Sequence, residues 1–193
     1  GEDVIGQLKA EGLDNLKAIE LDVTDPATIW AAAALVEQEK GSLDILINNA
    51  GILGSVPQSA AEADVSMIKD VFETNFFGVI EVTRAFIGLL RQSPEPRIVN
   101  VTSGLGSLTL HNDPTWKYYE VKPAAYVSSK AALNAYTIVL AHHLIDTSFK
   151  VNAVDPGYTA TDFNHHSGPG TVPDAAARVV KAATLGADGP TGQ

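Results

Sequence analysis

The amino-acid sequence predicts an α/β protein built on a doubly wound parallel sheet. Four short runs rich in Val, Ile and Leu alternate with longer segments of helical spacing, which is typical of βαβ units. The runs are mostly apolar rather than alternating with polar residues, as expected for strands covered on both faces. We predict strands at residues 17–21, 43–47, 97–102 and 149–154.

The segments between these strands carry helix signals. The first helix begins after Asp25, an acidic N-cap followed by Pro26 at the first helical position, and it ends before Gly41. Further helices are predicted at residues 59–90, 123–144 and 173–185, and the first of these is long enough to be kinked or divided in two. Because no repeat or linker divides the chain, we expect a single domain over residues 1–193.

Composition and charge exclude several classes of function. The chain has 193 residues, a formal net charge of −10 and no cysteine. This negative charge argues against non-specific nucleic-acid binding and against docking on anionic lipid. Without cysteine there is no disulfide, and no segment reaches the length of a membrane span. We therefore predict a cytoplasmic protein that has neither nucleic acid nor membrane as a partner.

The residues that follow the predicted strands share one character. In open parallel sheets, ligands bind outside the carboxyl ends of the strands. Small, polar or glycine residues stand at all four of these places, with the sequences DVTD at 22–25, NNAG at 48–51, SGLGS at 103–107 and DPGYT at 155–159. This shared character predicts one site at that edge of the sheet.

Tyr126 and Lys130 are four residues apart on a predicted helix and therefore share one face. An ammonium group beside a phenol favours the phenolate, so we expect Lys130 to lower the pKa of Tyr126 and to allow acid–base chemistry near neutral pH. A half-exposed tyrosine beside a solvated lysine would give the same pattern. Small residues surround the pair and favour close approach of a cofactor or another helix; they are Ala124, Ala125, Ser128, Ser129, Ala131 and Ala132.

Two strand ends carry further candidates. Ser103 can point its hydroxyl into the crevice and donate to a carbonyl oxygen, or it can simply end the strand in a turn. A serine hydrolase would need Gly-x-Ser-x-Gly, and the first glycine is missing here. The two amides and the glycine of residues 48–51 suit a backbone turn close to a flat ligand, or an ordinary asparagine–glycine turn.

Taken together, these motifs resemble those of the short-chain dehydrogenase/reductase family. The features, in chain order, are the NNAG sequence at 48–51, Asn75, Ser103, Tyr126-x-x-x-Lys130 and Pro156-Gly157. The resemblance covers nearly the whole chain, and within the family it is greatest to carbonyl reductases with an insertion between the serine and the tyrosine, here around residues 108–122. It implies a Rossmann-like fold and an oxidoreductase that interconverts a small-molecule carbonyl compound and an alcohol.

The resemblance also implies a role for each matching residue. Tyr126 would be the general acid or base, Lys130 would bind the nicotinamide ribose and lower the tyrosine pKa, and Ser103 would position the substrate oxygen. Asn75 would anchor a water that connects Lys130 to solvent. The cofactor is expected to be NADP or NAD, and its chemistry is hydride transfer. Its implied contacts are Asp22, Val23, Asn49, Ala50, Gly51, Tyr126, Lys130, Pro156, Gly157 and Thr159.

One departure from the family concerns its opening strand, glycine-rich turn and helix, which hold the cofactor pyrophosphate. Residues 1–193 contain no such fingerprint, and residues 189–193 look like the approach to one more strand. We therefore expect a sheet that is incomplete at the N-terminus and at the C-terminus. We also expect a polypeptide limited to these residues to bind the cofactor poorly and to be inactive, and the choice between NAD and NADP to lie outside them.

The remaining candidates have ordinary interpretations. The adjacent pairs His142-His143 and His165-His166 lack metal-ligand spacing and an acidic partner, so no metal site is expected. Four residues of the insertion either line a substrate pocket or pack the loop; they are His111, Trp116, Tyr118 and Tyr119. Asp155 is interpreted as a turn former.

Three hypotheses for function remain open at this point. The leading one is an enzyme, because a binding protein has no need of the complete set Asn75, Ser103, Tyr126 and Lys130. The alternatives are a non-catalytic binding protein of the same fold and an inactive fragment that assembles through its small-residue helix. A homo-oligomer is expected through the helices that bear Tyr126 and follow Pro173, unless the insertion blocks that contact.

Overall fold

The computed structural model describes residues 2–193 and confirms the α/β class with a parallel sheet. Three strands, β1 (Ile45–Asn48), β2 (Arg97–Val101) and β3 (Lys150–Val154), lie side by side in chain order. Ile45 pairs with Arg97, and Arg97 pairs with Lys150, so the strands begin level with one another. Their carboxyl ends therefore meet at a single edge of the sheet.

The helices follow the predicted signals closely. Asp25 accepts a hydrogen bond from the Ala27 amide (2.9 Å) at the start of the first predicted helix, and Gly41 ends that helix with a φ of 72°. The helices predicted at 123–144 and 173–185 are both present within two residues of their expected ends. The helices are α1 (Glu2–Ala10), α2 (Pro26–Lys40), α3 (Val65–Phe72), α4 (Gly78–Leu90), α5 (Leu108–His111), α6 (Ala124–His143) and α7 (Val172–Ala183).

The long helix predicted at 59–90, expected to be either kinked or divided, is divided in two. It begins at Val65, after the N-cap Asp64, and a π turn at Glu73–Phe77 joins α3 to α4. A π turn places one extra residue in the helical course and occurs frequently at functional sites. Asn75 lies within this turn and is fully buried.

Helices cover both faces of the sheet. Ile98 of β2 packs in one cluster with Leu90 of α4 and Ala141 of α6, and α2 packs outside α4. Arg97 precedes Ile98, so its side chain points to the opposite face, where its Nε donates to the carbonyl of Leu185 just after α7 (2.7 Å). Helix α7 therefore lies on the face opposite α4 and α6.

The prediction of a strand at residues 17–21 is wrong. The segment belongs to no β-ladder, because the strands of residues 2–193 pair only among β1, β2 and β3. Leu21 nevertheless packs against the cluster between α2 and α4. The apolar residues of this segment thus signalled partial burial, whereas a strand also needs a neighbour for its backbone hydrogen bonds.

Strand β1 differs from the prediction of cover on both faces. Leu46 packs in the core, but Ile45 and Ile47 are 38% and 41% exposed. β1 is the edge strand of the sheet, and α7 lies mainly over β2 and β3. The covering helix therefore does not shield the side chains that point away from α4.

The last residues of the chain run beside β3. The Gly192 amide donates to the carbonyl of Val151 (2.8 Å), and the Ala153 amide donates to that of Gln193 (2.7 Å). The side chain of Asn152 adds a hydrogen bond to the carbonyl of Pro190 (3.0 Å). These bonds fix residues 190–193 along the outer side of β3.

Candidate active site

Three of the four predicted strand-end segments come together with α6. Residues 48–51 follow β1, residues 103–107 follow β2 and residues 155–159 follow β3, all at one edge of the sheet. Helix α6 brings Tyr126 and Lys130 to the same place, and both are buried. Asp22 and Val23 belong to the fourth segment and have other neighbours. The Asp22 carboxylate is bonded to Thr24, and the Val23 carbonyl lies against Gly78.

Tyr126 is paired with Ser103 in a buried position. Only 7% of Tyr126 is exposed, and its hydroxyl is close enough to Ser103 for the serine to affect its pKa. The Ser103 hydroxyl also accepts from the Leu105 amide (3.1 Å), which fixes its direction. Burial raises the pKa of Tyr126 to about 12, while the hydrogen bond with Ser103 lowers it and the charge of Asp155 raises it further. The phenol is therefore neutral near pH 7.

Lys130 is held against the sheet rather than against the phenol. Its Nζ donates to the carbonyl of Val101 (2.8 Å) and lies 5.8 Å from the centre of the Tyr126 ring. Burial lowers the pKa of Lys130 to about 8. The expectation that Lys130 makes the pKa of Tyr126 lower than usual is wrong for this structure, because the loss of hydration around the phenol outweighs its neighbours.

Asn75 clamps two parts of the site together. Its Oδ1 accepts from the Ile52 amide (2.8 Å), and its Nδ2 donates to the Ile52 carbonyl (2.9 Å) and to Ser129 Oγ (3.1 Å). Ser129 in turn donates to the carbonyl of Tyr126 (2.8 Å). The Asn75 side chain therefore joins the segment after β1 to the turn of α6 that bears Tyr126. Its role as a water anchor stays a prediction.

Two glycines allow close approaches at the site. A Cβ at Gly51 would lie 3.3 Å from Asn75 Oδ1 and 3.5 Å from Lys130 Nζ, so the glycine keeps the space beside the ammonium open. A Cβ at Gly106 would lie 2.7 Å from Asn134 Nδ2 and 2.9 Å from the carbonyl carbon of Lys130. The absence of a side chain at Gly106 thus lets residues 103–107, the serine loop, pack directly on α6.

The two asparagines that follow β1 have different surroundings. Asn49 and Ala50 are exposed at the edge of the sheet. Asn48 is buried instead, and its Nδ2 donates to Asn100 Oδ1 (2.8 Å) and to Thr83 Oγ1 (3.2 Å). Asn48 therefore links β1 to β2 and to α4.

The segment after β3 contains the predicted turn. Asp155 Oδ1 accepts from the Gly157 amide (2.9 Å), which confirms Asp155 as a turn former. Gly157, which follows Pro156, has a φ of 85°, a region that glycine adopts readily. Thr159 is buried, and its hydroxyl donates to the Gly157 carbonyl (3.3 Å). The sequence interpretation did not include a second effect of Asp155, whose charge raises the pKa of Tyr126.

Phe163 is a site residue that the sequence interpretation missed. Its ring centre lies 5.8 Å from that of Tyr126, and it belongs to a short 3₁₀ turn at Asp162–Asn164. No local pattern marked it, because the contact depends on how the loop after β3 folds back over α6.

The aromatic residues of the insertion pack on each other and reach the site. His111 and Trp116, Trp116 and Tyr118, and Tyr118 and Tyr158 form edge-to-face pairs with centroid distances of 5.3, 5.6 and 6.0 Å. A Cβ at Gly104, next to Ser103, would lie 3.7 Å from Trp116. Tyr119 stands outside this series, beneath Lys122. These contacts show that His111, Trp116 and Tyr118 pack the loop, while their part in a substrate pocket stays a prediction.

The histidine pairs lie outside the site. His142 and His143 are exposed at the end of α6, and His166 Nε2 lies 2.8 Å from Asp162 on the surface. The expectation that these histidines lack an acidic partner is thus wrong for His166. Within residues 2–193, no group of three or more histidine, aspartate or glutamate side chains is arranged to hold a metal ion. Over the same residues, no helix is long and apolar enough to cross a membrane.

Comparison with known proteins agrees with this geometry. The profile of the short chain dehydrogenase family matches residues 1–171. The short-chain dehydrogenase anuI of Penicillium roqueforti is 39% identical over 191 residues, which cover 96% of this chain and 74% of that protein.

Two solved structures are similar over most of the chain. Salutaridine reductase from Papaver somniferum superposes with a TM-score of 0.85 at 30% identity and covers 100% of this chain and 86% of its own. The NADPH-bound carbonyl reductase from chicken fatty liver has a TM-score of 0.81 at 28% identity, with 94% of this chain and 75% of that chain covered. The fold, the motifs and the family profile agree, and the chain belongs to the short-chain dehydrogenase/reductase family of NAD(P)-dependent oxidoreductases.

Proposed function

We propose that this protein reduces the carbonyl group of a small molecule to an alcohol, with Tyr126 as general acid and NADPH as the cofactor. One observation carries this proposal: the fold brings Tyr126 and Lys130, both buried on helix α6, together with Ser103 at the carboxyl ends of the strands. Burial raises the pKa of Tyr126 to about 12, so the phenol holds its proton at neutral pH, as an unperturbed tyrosine also does. A protonated phenol is a donor, as carbonyl reduction requires. The NADPH-bound relative supports the choice of cofactor.

The residues around Lys130 fit the nicotinamide end of such a cofactor. The buried ammonium uses one hydrogen bond on the carbonyl of Val101 and has two further N–H donors for ribose hydroxyls. Gly51 keeps the space beside Lys130 Nζ free of a side chain. A nicotinamide cofactor supplies the hydride when it is bound. In this proposal its contacts are Asp22, Val23, Asn49, Ala50, Gly51, Tyr126, Lys130, Pro156, Gly157 and Thr159.

The chain's own groups then perform the proton transfer. The hydroxyls of Ser103 and Tyr126 donate to the carbonyl oxygen of the substrate, and this draws negative charge onto that oxygen. Tyr126 gives up its proton as the alcohol forms. The Lys130 ammonium, 5.8 Å from the ring centre, stabilises the phenolate that remains. Asn75 holds the backbone on both sides of this pair in place through Ile52 and Ser129.

The aromatic residues near the site suggest an apolar substrate. Phe163 lies against Tyr126, and Trp116 lies close to Gly104, the residue after Ser103. Tyr118 and Tyr158 continue from Trp116 in a series of edge-to-face contacts. Rings of this kind favour contact with flat or cyclic apolar groups rather than with charged ones. We therefore propose a ketone or aldehyde carried on a ring system as the substrate class.

The test is the oxidation of NADPH by the full-length protein in the presence of cyclic and short acyclic ketones. The expected result is turnover of cyclic ketones that Tyr126→Phe abolishes. Tyr136→Phe is the matched control, because Tyr136 is on the same helix but packs against Phe76. Tight binding of NADPH without turnover of any carbonyl compound would favour the non-catalytic alternative.

A further inference from the structure

We infer that Gln58 is a positioning residue for the proton donor, an assignment that rests on the proposed function of Tyr126. Gln58 is 6% exposed and lies in the segment between β1 and α3. Its Oε1 accepts hydrogen bonds from the backbone amides of Ala125 (3.0 Å) and Tyr126 (3.4 Å). A side chain 68 residues away in sequence thereby holds the backbone of Tyr126.

The first amides of α6 depend on Gln58. The first four amides of a helix have no partner within the helix. The N-cap residue here is Pro123, which supplies no side-chain hydrogen bond. The Ala124 amide instead donates to the Gln58 carbonyl (3.4 Å), and the next two amides donate to Gln58 Oε1. The amide of Val127 makes the first ordinary bond of the helix, to the Pro123 carbonyl (2.9 Å).

The other end of the Gln58 amide connects this cap to the segment that follows β1. Nε2 donates to the carbonyl of Leu53 (2.7 Å), next to Ile52, which is the residue clamped by Asn75. Asn75 also bonds Ser129, one turn further along α6. Residues 52–58 are therefore tied to the catalytic helix at two places, on either side of the Tyr126 side chain.

This arrangement sets the position of Tyr126 relative to Ser103. Ser103 is fixed separately, by the serine loop that rests on Lys130 through Gly106. Lys130 is fixed by Val101. Without the Gln58 side chain, the amides of Ala125 and Tyr126 lose their acceptor and the first turn is free to fray. The Tyr126 hydroxyl would then move relative to Ser103, whereas Lys130, one turn later, would keep its place.

The test uses three variants of the full-length protein. Gln58→Met keeps the size of the side chain and removes the acceptor. Gln58→Glu keeps an acceptor for the amides of Ala125 and Tyr126 and removes the donor to Leu53. Ser93→Ala is the control, because it removes buried hydrogen bonds to Asp44 (2.6 Å) and from the Glu95 amide (3.3 Å) at the opposite edge of the sheet.

The expected result is a split between kcat and cofactor binding. Gln58→Met should lower kcat by at least about tenfold and leave the NADPH Kd within about twofold, since a small displacement of a reacting group can cost up to about a hundredfold. Gln58→Glu should recover most of the lost kcat. Ser93→Ala should lower Tm with kcat unchanged. Equal kcat in Gln58→Met and the parent, or equal losses in Gln58→Met and Gln58→Glu, would overturn the assignment.

Amide hydrogen exchange gives a second readout that needs no turnover. Protection of the Ala125 and Tyr126 amides should fall in Gln58→Met and return in Gln58→Glu. If the parent protein reduces no carbonyl compound, the proposed function fails, but the exchange result still decides whether Gln58 holds the first turn of α6. Unchanged protection in Gln58→Met would refute the role. If Gln58→Met does not fold, unchanged protection in Gln58→Glu together with a loss of its kcat would refute the role.

Discussion

The Lys130 ammonium donates to the carbonyl of Val101 at 2.8 Å, which anchors the side chain to the end of β2. This bond keeps Nζ 5.8 Å from the centre of the Tyr126 ring. The lysine is therefore positioned to support a charge on the phenol without forming an ion pair with it beforehand. Burial shifts the two pKa values in opposite directions, because it raises that of the tyrosine and lowers that of the lysine.

Tyr126→Phe should remove the proton donor and leave the cofactor contacts of Lys130 in place. We expect kcat for carbonyl reduction to fall by about 10²- to 10⁴-fold, the usual contribution of a general acid. The Kd for NADPH, measured by the change in nicotinamide fluorescence, should change by less than about threefold, because Lys130 keeps its bond to Val101. Turnover within a few-fold of the parent would contradict the role of Tyr126.

The pH dependence of cofactor capture should report Lys130. This quantity, kcat/KM for NADPH, reflects groups of the free enzyme. The pKa of Lys130 is lowered to about 8, so its positive charge is lost as the pH rises through about 8 and kcat/KM should fall there. The pKa of Tyr126 is about 12, so the phenol keeps its proton throughout this range. Lys130→Arg should remove the fall near pH 8, because arginine stays charged.

Lys130→Met should stabilise the ligand-free protein at neutral pH. The folded pKa of about 8 lies below the usual 10.5, so burial of the charge costs stability below pH 8 and the cost disappears as pH rises towards 10.5. This shift corresponds to about 3 kcal/mol, partly offset by about 1 kcal/mol for the lost bond to Val101. Tm should therefore rise by a few degrees at pH 7 and by less at pH 10. Lys181 is exposed, so Lys181→Met should show no such gain in Tm. A lower Tm for Lys130→Met than for the parent at pH 7 would contradict the prediction that the buried charge is destabilising.

Gly106→Ala should destabilise the protein. The new Cβ would meet Asn134 Nδ2 at 2.7 Å and the Lys130 carbonyl carbon at 2.9 Å, so the serine loop must move away from α6. We expect a loss of about 1–3 kcal/mol in urea unfolding, as for other overpacked sites. Gly88→Ala in α4 is the control, because its Cβ meets nothing within 4 Å and it should be neutral or stabilising. Equal stability of the two variants would contradict the close contact.

Thr137→Val should expose the cost of the buried amide network between the sheet and α6. Thr137 accepts from Asn100 Nδ2 (2.9 Å) and is fully buried, so valine leaves that donor without a partner. We expect a loss of about 1–3 kcal/mol in the free energy of unfolding. Thr184→Val is the control, because it removes the hydrogen bond that the Thr184 hydroxyl donates to the Val180 carbonyl (2.8 Å) at an exposed position. This change should cost less than about 0.5 kcal/mol.

Elements with local signals could be predicted from the sequence. Asp25 and Gly41 mark both ends of α2, because caps depend on a few neighbouring residues. Ser103, Tyr126 and Lys130 could be grouped, because parallel strands bring their carboxyl ends to one edge and the helix places residues four apart on one face. These rules need no knowledge of distant contacts.

Other features depend on contacts between distant residues and left no local pattern. Gln58 looked like an ordinary loop residue, yet its amide holds the start of α6. Phe163 reaches Tyr126 only through the fold of its loop. The segment 17–21 has the composition of a strand but lies beside none of the three strands. The pKa of Tyr126 depends on how much water burial removes, which spacing on a helix does not reveal.

The π turn at Glu73–Phe77 makes α3 and α4 two helices that are out of phase with each other. Each residue of an α-helix advances the side-chain direction by about 100°. The extra residue therefore rotates the side chains of α3 about the helix axis relative to those of α4. Deleting one residue there would restore an uninterrupted helix. The same repair would turn Asn75 away from Ile52 and Ser129. A shorter, more regular helix would thus remove one of the two ties between residues 52–58 and α6, so the irregularity itself helps to hold this part of the site together.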